Sequence, residues 1–237
     1  MCGRITFTFS KGELEGYLKE QYHIEQVNQA FDLPRYNVAP GQEIISVIND
    51  GNKNSVGLLK WGFVPSFATD EKVGFKMINA KAETLFEKPA YKEAARSRRC
   101  VVLADSFYEW DKAKQPYRIL TKGGHIFPLA GLWNTYKRAN GDLVHTVAII
   151  TTTANKPMRT IHERMPVILD DRSQQIWLDQ HVKDESRLSM LLRPYPDDDM
   201  TMYAVSKHVN SPAHDDELCI EEEHAYDLFS TGEEDEK

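Results

Sequence analysis

The sequence predicts one α+β domain with a mostly antiparallel, barrel-like β-sheet core and flanking helices. Segments rich in β-branched and aromatic residues, bounded by Gly, Pro, Asn or Asp, outnumber the segments with helical periodicity. The helical segments are interspersed among the strands without regular alternation, which favours this class over a doubly wound fold. The chain has no GxGxxG or P-loop motif, and its 237 residues with 41% hydrophobic content suit a single core.

The first predicted element is an amphipathic helix after Ser10. Ser10 and Glu13 have the spacing of a capping box, and Leu14, Leu18 and Tyr22 then recur at helical intervals. Strands are predicted over 43–49, 55–61, 99–105, 116–120, 126–132, 143–152 and 200–206. Shorter helices are predicted over 84–96, 172–180 and 185–192.

The cysteine content indicates a reducing compartment. Cys2, Cys100 and Cys219 are odd in number, far apart and form no CxxC pair, which argues against a disulfide framework and a zinc ribbon. The chain also shows no secretion signal and no apolar run near the roughly 20 residues of a membrane span. We therefore expect a soluble cytoplasmic protein without membrane contact, cofactor or metal, and a monomer because no long hydrophobic heptad is present.

Charge is distributed unevenly along the chain. The formal net charge is -7, but residues 214–237 contain eleven acidic residues and one basic residue. We expect a domain over 1–230 followed by a disordered acidic tail over 231–237. Residues 72–122, in contrast, contain twelve basic and six acidic residues. This excess suits an anionic partner, although a solvated face of the domain would have the same composition.

Cys2 is the first residue with distinctive chemistry. A methionine before a small side chain is usually removed in cells, which would leave a cysteine with a free α-amino group. Such an amine has a pKa near 7.7–8.0 and a free thiol one near 8.5, so both are partly nucleophilic at neutral pH. An aldehyde reacts with the amine to give a Schiff base, and the thiol can close on it to form a thiazolidine. Taken alone, Cys2 is better interpreted as an ordinary second residue, since many chains begin this way.

Three further segments carry candidate catalytic groups. Asn79 offers an amide to orient a reacting group, Glu109 places a carboxylate between aromatic residues, and His162 offers an imidazole for proton transfer near pH 7. Each could also be structural: Asn79 a helix cap, Glu109 a hydrogen-bonded core carboxylate and His162 a loop residue. His162 and Glu163 lack the second histidine of HExxH, so a zinc protease is not supported.

Seven motifs occur together in one order over residues 1 to 210. They are MCGR (1–4), RYNVAP (35–40), WGFVP (61–65), INAKAE (78–83), FYEW (107–110), HERMP (162–166) and VSKHVN (205–210). In these motifs the sequence resembles the SRAP (SOS-response-associated peptidase) family, whose members include abasic-site-processing proteins. The resemblance implies the SRAP fold. It also favours catalytic over purely structural roles for Cys2, Asn79, Glu109 and His162.

The resemblance also implies an activity. Members trap abasic sites in single-stranded DNA through a thiazolidine linkage. In this chain the thiazolidine would form on Cys2 after loss of Met1. The crosslink would protect the lesion during the SOS response to DNA damage. By position, Asn79 would orient the N-terminus, His162 would assist opening of the sugar ring, and Glu109 would move protons. The family also carries a peptidase activity tied to removal of Met1 and a lyase activity through the Schiff base.

DNA contacts follow from the same resemblance. They comprise phosphate contacts from Arg4, Lys81 and Arg164, stacking or wedging by Phe67 and Trp110, and a pocket lined by Asn37, Pro40 and Thr151. For the two aromatic residues, core packing remains an alternative. Three positions depart from the family: Lys81 where arginine is frequent, Ser106 where glycine is frequent, and Phe67 where tryptophan is common. A lysine gives a point charge instead of a bidentate fork.

Two other functions remain open from the residues. The chain could be a thiol peptidase that uses Cys2 as an N-terminal nucleophile with Glu109 and His162. It could also be a non-catalytic binder of modified or single-stranded DNA, in which the basic region alone makes the contacts.

Overall fold

The computed structural model describes residues 2–123 and 126–223. The strands are β1 (Ile5–Phe7), β2 (Arg35–Val38), β3 (Glu43–Asn49), β4 (Asn54–Trp61), β5 (Asn79–Lys81), β6 (Arg99–Ala104), β7 (Ser106–Trp110), β8 (Pro116–Thr121), β9 (Phe127–Lys137), β10 (Leu143–Thr153), β11 (Arg164–Pro166) and β12 (Met200–Ala204). The helices are α1 (Lys11–Tyr22), α2 (Lys92–Ser97), α3 (Asp171–Leu178) and α4 (Glu185–Ser189). Several short 3₁₀ turns connect them.

A closed five-stranded barrel forms the centre of the fold. Its strand order is β10-β4-β3-β6-β9, and β9 pairs back onto β10 to close the ring. Strand β6 is buried along its whole length, which explains why it reads as a continuous apolar run. Among the described strands, only β4 and β5 pair with β10 in parallel. The predicted single α+β domain with a mostly antiparallel barrel-like core is therefore confirmed.

A second, antiparallel sheet of five strands has the order β12-β8-β7-β1-β2. Strand β1 lies inside this sheet, with Ile5 opposite Val38 on one side and opposite Phe107 on the other. The chain segment that follows Cys2 is thus held by two neighbouring strands. This pairing fixes the N-terminal end of the described chain in the interior of the protein.

The first helix agrees with its sequence signature. The Ser10 side chain accepts from the Glu13 backbone and the Glu13 carboxylate accepts from the Ser10 backbone, while Leu14, Leu18 and Tyr22 are buried. The predicted helix over 84–96 is wrong in its first half, because turns containing Pro89 precede α2. Across the described residues, no helix has the length and apolar character to cross a membrane.

Five strands were not predicted: β1, β2, β5, β7 and β11. Each has only three to five residues; four of them overlap one of the seven sequence motifs each, and β1 directly follows a fifth, MCGR. The predicted end of the domain at residue 230 and the acidic tail over 231–237 lie outside the described residues.

Candidate functional site

Cys2 is joined to the barrel through Asn79. Cys2 lies three residues before the start of β1 and is completely buried. The Asn79 side-chain amide nitrogen donates to the Cys2 carbonyl oxygen at 2.8 Å. Asn79 begins β5, which is fixed by hydrogen bonds from the Trp61 indole to Ile78 and from the Tyr91 hydroxyl to Asn79. Asn79 therefore acts on the N-terminal segment from a rigid strand and does not serve as a helix cap.

Glu109 lies on β7, the neighbour of β1, and is 3% exposed. Burial raises the pKa of the Cys2 thiol far above its ordinary value, and the negative charge of Glu109 raises it further. The carboxylate and the thiol are thus close enough to interact electrostatically. At neutral pH the thiol is protonated, so a reaction at Cys2 that consumes the thiol needs an acceptor for its proton.

Strand β10 brings two of the motifs together, INAKAE and HERMP. Its residue Ile149 lies opposite Asn79 of β5, Thr151 lies opposite Lys81 of the same strand, and on its other edge Thr153 lies opposite Arg164 of β11. These positions span five residues of β10, or about 13 Å over four steps. Residues that are distant in sequence therefore meet at one end of the barrel.

His162 lies in the turn that leads into β11. Its Nδ1 atom accepts the Arg164 backbone N–H at 2.9 Å. A neutral imidazole whose Nδ1 accepts carries its proton on Nε2. The contact thus selects a tautomer that can donate a hydrogen bond from Nε2.

Arg164 is already paired in the absence of DNA. Its guanidinium makes a bidentate contact with Glu83, at 2.6 and 3.0 Å, and also donates to the Thr151 carbonyl at 2.6 Å. The hydrogen bonds from Arg164 lower the pKa of the Glu83 carboxyl, and Lys81 adds a smaller electrostatic effect. A phosphate that binds Arg164 therefore has to compete with Glu83. Glu83 was not singled out from the sequence, although this residue belongs to the INAKAE motif.

Arg4, two residues after Cys2, and Asn37 belong to a buried hydrogen-bond network. Arg4 donates to the Asn37 side-chain oxygen and, at 2.7 Å, to the Val209 carbonyl. The Asn37 amide nitrogen donates to the carbonyls of Val209, Ser211 and His214. Asn37 is fully buried, so in this conformation its polar atoms connect the C-terminal part of the chain to the domain. Its contact with DNA stays a prediction.

The aromatic residues differ in environment. Phe67 follows β4 in a loop and is 68% exposed, so core packing is excluded for it. Trp110 is half-buried; its ring lies beneath the Arg4 guanidinium, 5.7 Å from the ring centre, and its indole N–H donates to Asn210 at 2.7 Å. Pro40 is half-buried in the turn between β2 and β3. Of these, Phe67 alone offers a largely exposed face for stacking.

Comparisons with known proteins agree with the fold and the motifs. The sequence model of the SOS response associated peptidase (SRAP) family matches residues 1–212. The abasic site processing protein YoqW of Bacillus subtilis is 46% identical over 226 residues, covering 93% of this chain and 99% of its own. The abasic site processing protein HMCES of Gallus gallus is 30% identical, covering 93% and 77%. A crystal structure from Bacteroides thetaiotaomicron shares the fold, with a TM-score of 0.82 at 24% identity over 94% of this chain and all of that one.

Proposed function

The chain belongs to the SOS response associated peptidase family, and from this membership we propose that it captures abasic sites in single-stranded DNA covalently through Cys2. The relatives that cover nearly the whole chain are named for abasic site processing. The observation that carries the proposal is the Asn79 hydrogen bond to the Cys2 carbonyl at 2.8 Å, because it orients an N-terminal cysteine beside a buried carboxylate.

The proposed reaction starts after Met1 has been removed. The α-amine of Cys2 attacks the aldehyde carbon of the ring-opened sugar, and loss of one water gives a Schiff base. The Cys2 sulfur then bonds to the same carbon, and the thiol proton ends on the former imine nitrogen. The product is a five-membered thiazolidine, and the balance is one water released per crosslink.

Glu109 is the proposed proton carrier. Imine formation needs an acid to expel water, and ring closure needs a base because burial keeps the thiol protonated. One carboxyl beside Cys2 can serve in both steps. Reversal of the crosslink uses the same steps backwards, so Glu109→Gln should slow formation and release together.

His162 is proposed to assist opening of the sugar ring by donating a hydrogen bond from Nε2 to the ring oxygen. The phosphates beside the lesion are assigned to Arg4, Lys81 and Arg164, and a neighbouring base to Phe67. Because Arg164 is engaged by Glu83, DNA binding would exchange one anion for another at that guanidinium. A lyase activity from the Schiff base and a peptidase activity that removes Met1 are secondary parts of the proposal, as are the SOS role and the cytoplasmic location.

The test mixes untagged protein, confirmed by intact mass to begin at Cys2, with a single-stranded oligonucleotide that carries one abasic site. A denaturing gel should show a heat-stable shifted band, absent with undamaged DNA. Cys2→Ala should abolish the band and leave salt-sensitive binding of the same oligonucleotide. Crosslinking by Cys2→Ala at the rate of the unmodified chain would overturn the proposal.

A second preparation distinguishes the alternatives. Protein with a blocked N-terminus lacks the free amine, so we expect it to bind DNA without a crosslink. A simple DNA-binding protein would give no band with either preparation. A thiol peptidase would turn over a peptide panel and ignore the abasic oligonucleotide.

A further inference from the structure

We propose that His208, Asp216 and Cys219 form a binding site for a divalent zinc ion. The His208 Nε2 atom lies 3.0 Å from both carboxylate oxygens of Asp216. The three donor atoms, including the Cys219 sulfur, lie within 4.8 Å of one another. This site is separate from the reaction proposed at Cys2.

Local structure explains why these side chains converge. His208 lies in the 3₁₀ turn Lys207–Asn210, and Asp216 caps the 3₁₀ turn Glu217–Cys219 by accepting the Leu218 backbone N–H. A 3₁₀ helix has three residues per turn, so side chains three positions apart lie on the same side. Asp216 and Cys219 have this spacing, and they face His208 together.

The donor set favours zinc over harder or softer ions. Nitrogen, oxygen and sulfur donors together suit a borderline ion, whereas calcium and magnesium prefer oxygen alone. With bonds of about 2.0–2.3 Å, donor atoms on a tetrahedral zinc lie roughly 3.3–3.8 Å apart. The His208–Asp216 separation of 3.0 Å lies just below that range and no separation exceeds 4.8 Å, so binding needs only small side-chain movements.

The charges and access of the cluster also suit a cation. Asp216 is half exposed and gives a path from solvent, while Cys219 is buried and shields one side of the site. On coordination Cys219 loses its proton, so the ion meets a carboxylate and a thiolate, and a water molecule can complete the tetrahedron. The His214 ring stacks on His208, with centroids 3.9 Å apart, and limits rotation of the ligand imidazole.

The expected consequence is a stiffer C-terminal segment, defined as residues 205–223. This segment supplies the Val209 and His214 carbonyls that accept from Arg4 and Asn37, and the Cys219 carbonyl that accepts from the Tyr108 hydroxyl. Zinc that binds only the folded chain would raise the unfolding temperature, increasingly with zinc concentration.

The test titrates metal-free full-length protein with zinc against a chromophoric chelator, and with cobalt to observe the thiolate-to-cobalt charge-transfer band. We expect one equivalent with a Kd of about 1 μM or below. A Cys2→Ser protein run in parallel removes chelation by the N-terminal aminothiol and should keep both signals. Loss of the signals in Cys2→Ser would overturn the proposal.

Variants of the ligands complete the test. Cys219→Ser should remove the cobalt band. His208→Gln should weaken zinc binding by at least about 100-fold, because loss of a residue that merely supports a metal ligand already costs up to about 100-fold. Asp216→Asn keeps both neighbouring ligands and serves if the buried Cys219→Ser fails to fold. The control His181→Gln, an exposed histidine bonded to Gly51, should bind like the unmodified chain. Zinc affinity that is unchanged in both His208→Gln and Asp216→Asn would overturn the site.

Discussion

Two buried arginines in this protein stack on tryptophan rings, Arg4 on Trp110 and Arg99 on Trp177. The guanidinium carbons lie 5.7 and 5.6 Å from the ring centres, and the two residues are 8% and 0% exposed. Burial lowers the pKa of both, that of Arg99 to about 10. By burial and ring contact alone the two residues are nearly equivalent.

Their hydrogen bonds differ. All five N–H donors of Arg99 are used, by the backbone carbonyls of Ala95, Arg96, Trp177, Asp179 and Val182. Arg4 donates to Asn37 and Val209, while its buried Nε has no acceptor among the described residues. A guanidinium with all donors occupied serves stability, whereas one with unused capacity beside Cys2 can accept a further anionic partner.

The largest effect is expected for Arg99→Met. The substitution leaves five carbonyls without a donor, and each buried group so orphaned costs about 1–3 kcal/mol. We expect the free energy of unfolding to fall by at least about 3 kcal/mol, which is less than the full sum because water can hydrogen-bond to some of the carbonyls. Crosslinking by the folded fraction should be unchanged. Urea unfolding measures the free energy of unfolding. If the variant does not fold, Arg99→Lys, which restores part of the bonds, takes its place; a loss below 1 kcal/mol would contradict the structural role.

Arg4→Met tests the other side of the comparison. The Asn37 side-chain oxygen loses its donor, while the Val209 carbonyl keeps the one from Asn37, so the free energy of unfolding should fall by about 1–2 kcal/mol, less than for Arg99→Met. Crosslinking to abasic DNA should slow by about tenfold or more at a temperature where the variant is folded, because a phosphate contact is lost. A rate equal to that of the unmodified chain would make Arg4 structural like Arg99.

The sequence predicts the barrel well and the strands around the site poorly. Strands β3 and β10 agree with their predicted bounds to within one residue, since long apolar or alternating segments have a clear period. The strands β1, β5 and β11 have three residues each, which is too short for any period. Strands β5 and β11 form on the edges of the long strand β10, and β1 forms between β2 and β7; such pairing is not visible in a local pattern.

The candidate site shows the same division. The residue types of Asn79, Glu109 and His162 suggested chemistry, and the order of the motifs joined them to one family. Their contacts could not be predicted, because partners such as Arg164 and Glu83 are 81 residues apart and meet only through the register of β10. The full burial of Cys2 also depends on pairing of β1 inside a sheet.

Asn79→Asp examines a single hydrogen bond in this site. The side chain keeps its shape but can no longer donate to the Cys2 carbonyl, a bond worth about 1–1.5 kcal/mol. We expect crosslinking to slow by about tenfold, with DNA affinity little changed. Single-turnover crosslinking measures the rate, and Asn140→Asp in an exposed turn is the control. Equal rates for both variants would show that the bond does not orient Cys2.

The smallest effect concerns an ion pair that is partly open to solvent, unlike the buried hydrogen bonds of the two arginines. Glu71 accepts from Arg138 and Lys60, and these bonds lower the pKa of its carboxyl to about 2. Because the folded pKa lies below the unfolded one, the pairing stabilises the fold above about pH 4.5 and is lost as the pH falls toward 2. Solvent screening keeps the contribution below about 1 kcal/mol.

Glu71→Gln should therefore lower the urea midpoint slightly near neutral pH and not near pH 2. Glu15→Gln, which removes an exposed pair with Lys11 at 3.6 Å, should change the midpoint less at either pH. A deficit for Glu71→Gln that grew on acidification would contradict the sign of this shift, and would mean that an exposed ion pair is not the weak counterpart of the buried arginines.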